Sequence, residues 1–246
     1  MPAIELSYLF LLLLFVVAFL YSSVGHGGAS GYLALMALFS VAPPIMKSSA
    51  LLLNIFVSLI AFIQYYCGGY FKWKLFLPFA IASVPAAFIG ASITVDAVIY
   101  KKVLGVILIF PILRLFGLFN TESEELKEVN IIIALIAGAV IGFLSGMLGI
   151  GGGIILSPVI LFMHWGNMKQ TASVSALFIF VNSIAGFTSL LSKGISIDKA
   201  VYLWLIIAVV GGLTGAYFGS KKWNNLWLKR VLAIVLCIAS FKLLAS

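Results

Sequence analysis

Two stretches decide how this chain folds: GHGGASGYLALMALFSVAPPIMK at residues 25–47 and GIGGGIILSPVILFMHWGNMK at residues 149–169. Each begins with a glycine cluster, continues as an apolar piece of 12 to 14 residues and ends in a polar break that includes a lysine. As a helix, each piece would be roughly 18–21 Å long, well short of the roughly 30 Å hydrocarbon core of a bilayer. We therefore predict two half-helices that enter a membrane and turn back.

The composition of the chain points to a membrane as its solvent. Of the 246 residues, 63% are apolar and 9% are charged, whereas soluble domains carry roughly 25% charged residues. Apolar stretches long enough to cross a bilayer as helices lie at 6–22, 50–67, 74–95, 102–119, 129–148, 170–191, 198–218 and 227–245. We predict an all-α, polytopic membrane protein with the lipid bilayer as its surroundings. The net charge of +8 comes from basic residues spread along the loops, which is typical of helix flanks and does not indicate nucleic acid.

The chain also repeats itself at a shift of 125 residues. Gly27-Gly28 then falls on Gly152-Gly153, Ser58 on Ser183, and Gly90-Ala91 on Gly215-Ala216. A register held over this distance, including Gly and Ser, indicates an internal duplication. We expect a first membrane repeat at 1–119, a polar linker at 120–128 and a second membrane repeat at 129–246.

The relative orientation of the two repeats has two solutions. With four spans and one re-entrant half-helix per repeat, the halves run parallel, and eight lysines and arginines gather on one face against a single acid, Asp96. With five crossings per repeat, the second half is inverted. Because basic residues favour the cytoplasmic side, the first arrangement is preferred and the five-plus-five inverted repeat is kept as the alternative.

The glycine clusters indicate a ligand site. Irregular backbone at membrane depth is tolerated only where protein or a watery cavity satisfies it, and paired, glycine-interrupted short segments are typical of transporter substrate sites. Glycine lets backbone N–H groups approach a ligand, and a helix start adds unpaired donors and partial positive charge. Such a site favours a small anion. Close helix packing is the competing explanation for membrane glycines.

Polar residues beside these clusters complete the candidate site. His26 could hold a proton or hydrogen bond beside an anion, or it could simply bond a nearby carbonyl. Lys47 and Lys169 could attract an anion, although snorkelling to the interface is the favoured explanation for such lysines. The candidate substrate-binding residues are Gly25, His26, Gly27, Gly28, Ser48, Ser49, Asn54, Gly149, Gly151, Gly152, Gly153, Thr171, Ser173 and Asn182. No metal ligand set and no cofactor are predicted.

Other functional classes find less support. No acid lies in the middle of a predicted span, so a carboxylate proton relay is not expected. A membrane-embedded enzyme would need a nucleophile with a base or a metal pair, and no His-Glu-x-x-His pair occurs. A structural subunit of a larger membrane complex would not need repeated glycine-lined half-helices. Assembly of several copies stays open.

Gly25-His-Gly-Gly28 and Gly149-Ile-Gly-Gly-Gly153, each followed by a short helix and then an Ala/Ser-rich helix, resemble the TauE/SafE family of sulfite exporters. The resemblance spans nearly the whole chain. It implies a bacterial inner-membrane permease for sulfite, organosulfonates or related sulfur-containing and carboxylate anions. Export also fits an interior-negative potential, which favours outward movement of an anion by about 2.3 kcal/mol per charge per 100 mV. The first repeat departs from the family pattern at His26 and in having two glycines before Ala29.

Overall fold

The computed structural model describes residues 8–23, 25–115, 126–195, 197–220 and 226–245. In these ranges the first repeat forms α1 (Tyr8–Ser23), α2 (Ala29–Leu38), α3 (Pro43–Cys67), α4 (Trp73–Ser92), α5 (Ala97–Ile107) and α6 (Ile109–Leu115). The second repeat forms α7 (Ile131–Leu148), α8 (Gly153–Phe162), α9 (Met168–Ser192), α10 (Ala200–Ser220) and α11 (Leu226–Ala245). Within the described ranges, five helices are long and apolar enough to cross a membrane: α3, α4, α7, α9 and α10. The prediction of an all-α, polytopic membrane protein is confirmed.

Local sequence signals set several helix starts. Asn167 begins α9 with a capping box, in which its side chain accepts from the amide of Gln170 and the Gln170 side chain accepts from the amide of Asn167. Asp96 and Asn130 cap α5 and α7 without such a reciprocal bond, and the side chain of each accepts from two backbone amides. Such caps satisfy the first amides of a helix, which have no partner within it.

The two repeats interlock through their first and fourth helices. α1 packs against α10, α4 packs against α7, and α3 packs against α9. Glycines allow the close approach: a Cβ at Gly146 of α7 would overlap the carbonyl oxygen of Ala87, and one at Gly215 of α10 would overlap that of Phe19. For these helical glycines the packing explanation is correct, as is common between membrane helices.

The central helices α3 and α9 run antiparallel. A Cβ at Gly186, late in α9, would lie 3.3 Å from Leu51, early in α3. In the opposite sense, Gly25 lies between Tyr65, late in α3, and Ala172, early in α9. Since α3 and α9 occupy corresponding places in the duplication, the repeats are related by inversion. The preferred arrangement with parallel halves does not fit this pairing, and the five-plus-five alternative does.

The path of α1 and α2 explains the inversion. The Phe10 ring near the start of α1 lies 5.2 Å from the Phe39 ring just after α2, so both ends are at the face where α3 begins. The far end of α1 reaches Gly25, beside Tyr65 near the end of α3. The chain then returns as an extended glycine segment followed by the 10-residue helix α2. We correct the re-entrant prediction accordingly: segment and half-helix together make a full return crossing.

The second repeat follows the same path from the opposite face. The amide of Lys127, before α7, donates to the carbonyl of His164, after α8, at 2.8 Å. The far end of α7 turns at Gly149, whose added Cβ would lie 3.0 Å from the carbonyl oxygen of Lys47 near the start of α3. The short helices have 10 residues each, fewer than the predicted 12 to 14, and the sequence did not reveal that the glycine segment supplies the missing part of each crossing.

The structure also corrects the register of the duplication. Gly28 and Gly152 are the N-caps of α2 and α8, both with positive φ (95° and 78°), which gives a shift of 124. α3 and α9 begin at residues 43 and 168, which gives 125. The second repeat therefore has one extra residue between these points, and Gly27 corresponds to Gly151, not Gly152. The linker prediction, 120–128, falls largely outside the described residues, and the repeat boundaries stay a prediction.

Candidate functional site

Two glycine segments converge on one asparagine at the centre of the molecule. A Cβ at Gly27 would lie 2.7 Å from Oδ1 of Asn54, and a Cβ at Gly151 would lie 2.8 Å from its Nδ2. Ile179 flanks the same point, 2.9 Å and 2.7 Å from those two positions. Asn54 is the twelfth of the 25 residues of α3, and Ile179 holds the same place among the 25 residues of α9. The convergence therefore lies near mid-depth.

Both half-helices begin at this point with free donors. No side chain caps α2 or α8. In the described part of the chain, the amides of Gly27, Gly28, Gly151 and Gly152 donate no hydrogen bond. Unpaired amides at a helix start combine with the helix dipole to attract negative charge. The two starts come from different repeats, so the point where they meet is lined by donors from both.

Asn54 is the strongest sign that something binds here. Its side chain is fully buried, and neither its amide nitrogen nor its amide oxygen has a hydrogen-bond partner among the described residues. Further buried oxygens without a partner among the described residues are spread over the bundle and belong to Ser22, Tyr32, Ser49, Ser145, Thr171, Ser173, Asn182, Ser183 and Ser189. Buried polar groups in proteins are nearly always satisfied, and in a membrane they are expensive when they are not. The unpartnered amide of Asn54, beside both glycine segments, therefore indicates a ligand or water.

His26 joins the first repeat to the second. Its Nε2 lies 2.9 Å from Oγ of Ser157 in α8, and that hydroxyl lies 2.8 Å from Oγ of Ser175 in α9. Ser157 Oγ also lies 2.8 Å from the carbonyl oxygen of Gly153, to which it can donate. The imidazole is 1% exposed. Its ring therefore contacts α8 and is linked through Ser157 to α9.

The remaining candidates divide into three groups. Gly153 belongs to the centre, where an added Cβ would lie 2.5 Å from Ile179. Gly25, Gly28, Gly149 and Gly152 form the turns and helix starts through their positive φ. Ser48 donates to carbonyls one turn back in α3, and the Asn182 amide donates to Phe178 O at 2.8 Å. Those two side chains are thus bound mainly to their own helices.

Four serines of this region are not among the candidate residues chosen from the sequence. Ser58 and Ser183 approach the glycines: a Cβ at Gly27 would lie 3.2 Å from Ser58 Cβ, and one at Gly151 would lie 3.1 Å from Ser183 Oγ. A signal for these two existed, because they match at the shift of 125. Ser157 and Ser175 had none, since Leu33 and Ala50 occupy the matched positions.

Lys47 and Lys169 are both bound to residues at or just after the ends of helices. Lys47 is 9% exposed and its ammonium donates to the carbonyl of Ala91, at the end of α4, at 3.0 Å. Lys169 donates to the Tyr70 hydroxyl at 2.9 Å and lies over the Tyr70 ring. Cations favour helix C-termini, so Lys47 is explained without an anion. In the described ranges, no group of three or more His, Cys, Asp or Glu could hold a metal ion.

Broken crossings in two inverted repeats, with polar groups at mid-depth between them, define a multi-pass membrane transporter. The comparison with known families agrees: the chain belongs to the sulfite exporter TauE/SafE family, whose sequence model matches residues 10–243.

Curated relatives cover nearly the whole chain. The "Probable membrane transporter protein y4hK" of Sinorhizobium fredii is 38% identical over 234 residues, 94% of this chain and 95% of the relative. The "Probable membrane transporter protein YdhB" of Bacillus subtilis is 27% identical over 233 residues, 91% and 93% of the two chains. No solved structure matches the chain.

Proposed function

We propose that this transporter exports a small anion, a sulfur oxyanion or an organosulfonate, which binds between the two repeats at the starts of α2 and α8. One observation carries the proposal: the fully buried, unpartnered amide of Asn54 faces both glycine segments. The anion's oxygens would accept from the Asn54 Nδ2 and from the free amides of the two segments. The inner membrane of a bacterium is the proposed location.

The electrostatics of the site favour negative charge. Two helix starts point their partial positive charges at the same region, and this charge is strongest within the first turn. The described acids, Asp96, Glu128 and Asp198, lie at or before helix starts, so none competes for the amides at mid-depth. In surroundings of low dielectric, such fixed donors interact strongly with an anion.

The size and chemistry of the proposed anion follow from the lining and the family. Glycines and serines surround the convergence, and several donors from different directions suit an anion with several oxygens on one atom. The description of the matching family names sulfite export, which supports both the sulfur oxyanion and the outward direction.

Ligand-dependent thermal stabilisation of the purified protein tests the site. Sulfite, thiosulfate, organosulfonates, carboxylates and sulfate would each be added to the wild type and to Asn54→Leu, which keeps the volume but removes both polar atoms. We expect one anion class to raise the melting temperature of the wild type and to have no effect on Asn54→Leu. Asn182→Leu is the matched control because its amide bonds its own helix, and it should keep most of the response.

An undiminished response of Asn54→Leu would disprove binding at this point. The direction is tested separately, with labelled anion loaded into right-side-out vesicles. An imposed interior-negative potential should accelerate its release if the protein exports a net negative charge.

A further inference from the structure

The two half-helices differ in the side chain that reaches back over their first turn. Tyr32 is the fourth residue of α2, and at the register of 124 its counterpart in α8 is Leu156. A Cβ at Gly28, the N-cap of α2, would lie 2.7 Å from both Cζ and the hydroxyl oxygen of Tyr32. Helical side chains lean towards the N-terminus of their helix. The Tyr32 hydroxyl is therefore held at the start of α2.

This hydroxyl is buried without a hydrogen-bond partner. The Tyr32 side chain is 0% exposed, and its oxygen has no partner among the described residues. The other two buried tyrosines of the described ranges behave differently: the Tyr21 hydroxyl bonds that of Ser30, and the Tyr100 hydroxyl donates to the carbonyl of Leu148 at 2.9 Å. Buried tyrosine hydroxyls usually find such a partner, so Tyr32 is the exception that needs an explanation.

The start of α2 offers donors where this hydroxyl needs an acceptor. The first amides of a helix have no partner within it, and the carbonyls point towards the other end. A tyrosine hydroxyl can accept from an amide, but its own proton then still lacks an acceptor. An anion with several oxygens can accept from the hydroxyl and from the amides at the same time.

Tyr32 and Asn54 flank adjacent residues of the first glycine segment. A Cβ at Gly27 would lie 2.7 Å from Asn54 Oδ1, and one at Gly28 would lie 2.7 Å from the Tyr32 hydroxyl. Consecutive Cα atoms are about 3.8 Å apart. Two unpartnered side chains, one from α3 and one from α2, therefore meet the same short stretch of backbone, whose amides are also free.

We propose that the Tyr32 hydroxyl is a further ligand-binding group of this transporter, which donates a hydrogen bond to an oxygen of the anion at the start of α2. The inference rests on the proposed function, because the anion is the one held between the two glycine segments. Since Leu156 occupies the corresponding place in α8, this contact comes from the first repeat alone. Loss of one hydrogen bond to a charged group weakens binding by about 10- to 150-fold.

Tyr32→Phe tests the contact because it removes the hydroxyl and keeps the ring. The affinities of the purified wild type and variant for sulfite, thiosulfate and methanesulfonate would be measured by calorimetry. We expect the variant to bind about 10-fold more weakly or worse. Without anion its melting temperature should not fall, since an unpartnered buried hydroxyl is itself costly.

Tyr100→Phe is the matched control. It also removes one buried tyrosine hydroxyl, but one that donates to a carbonyl. Without anion it should melt at a lower temperature than the wild type, because the Leu148 carbonyl is left without this donor. It should nevertheless keep most of its affinity for the anion.

A direct contact also has a spectroscopic signature. The near-ultraviolet absorption of tyrosine moves to longer wavelength when its hydroxyl donates to a negatively charged acceptor. Saturating anion should therefore produce this shift in the wild type and in Tyr100→Phe, and none in Tyr32→Phe.

Three outcomes would overturn the inference. Equal affinity of the wild type and Tyr32→Phe for an anion that the wild type binds refutes it and leaves the proposed function intact. A Tyr32→Phe protein that melts as low as Tyr100→Phe without anion, or that does not fold, also refutes it, because the hydroxyl would then have a structural partner. Failure of the wild type to bind any anion of the stabilisation series would overturn the proposed function as well.

Discussion

The two glycine segments, 25–28 and 149–152, show which part of this molecule is symmetric and which part is not. Both follow a helix that has crossed most of the membrane, both turn at a glycine with positive φ, and both end at a glycine N-cap. Both also touch Asn54 and Ile179. Yet one segment carries His26 with its serine partners, and the other carries Ile150 among apolar residues.

This difference separates framework from specificity. Glycine is required where the backbone takes a left-handed turn or where another side chain occupies the space of a Cβ, and these requirements recur in both repeats. The side chains between the glycines face no such requirement and have diverged. Even Asn54 is unmatched, since its counterpart at the shift of 125 is Ile179. A symmetric framework therefore holds an asymmetric set of polar groups.

The largest expected effect concerns the close packing of α7 on α4 and of α10 on α1, on which the glycine segments depend. Gly146→Leu in α7 and Gly215→Leu in α10 would drive a side chain into the backbone of α4 and α1 respectively. Because backbone cannot move aside as a side chain can, we expect neither variant to yield folded protein, as judged by size-exclusion chromatography and thermal melting in detergent.

Gly69→Ala and Gly194→Ala are the matched controls for the interlock. These two glycines have positive φ but nothing within 4 Å of an added Cβ. Each substitution should cost only the conformational strain of about 1–2 kcal/mol. Folded Gly146→Leu protein of wild-type stability would show that α4 and α7 do not pack as described.

A smaller effect compares the segments directly. Gly27→Ala and Gly151→Ala each place a methyl group against the Asn54 amide, so we expect both to abolish anion-dependent stabilisation. Overpacking typically costs about 1–3 kcal/mol. Gly151 also has φ of 72°, so an alanine at residue 151 adds about 1–2 kcal/mol of strain. Gly27 does not have positive φ, so an alanine at residue 27 adds no such strain. Unfolding should therefore show Gly151→Ala to be the less stable of the two, and the reverse order would contradict the backbone described here.

Much of this architecture could be predicted from the sequence, for identifiable reasons. Hydropathy over 43–67 and 168–192 is strong enough to mark crossing helices, and the glycine clusters mark broken ones. The direction of the halves could not be predicted, because it depends on whether an extended glycine segment crosses half of the bilayer, and extended backbone has no hydropathy signature. The single-residue offset before α9 was hidden for a related reason: glycine runs align equally well at shifts of 124 and 125.

The candidate site could also be predicted from the sequence only in part. Gly27, Gly151 and Asn54 were predicted and the structure brings them together, whereas His26 contacts Ser157 of α8. Ser48 and Asn182 were chosen because they are polar and buried, but a helix can satisfy such side chains through its own carbonyls. Which polar residue faces a neighbour and which bonds its own helix depends on rotation about the helix axis, and the weak amphipathic patterns of membrane helices do not fix that rotation.

The smallest expected effects come from serines on the two sides of the site. Ser157→Ala removes the hydrogen-bond partner of His26 Nε2 and should lower the free energy of unfolding by about 1–3 kcal/mol, the usual cost of leaving a buried polar group unsatisfied. Ser183→Ala removes a buried hydroxyl that has no partner among the described residues, so the stability without anion should not fall, since such a group is itself costly to bury. Anion-dependent stabilisation should nevertheless weaken in Ser183→Ala, because that hydroxyl lies against Gly151. Thermal melts with and without anion separate the two cases. If both serines proved equally costly without anion, Ser183 would have a structural partner, and the site between the repeats would be satisfied without a ligand.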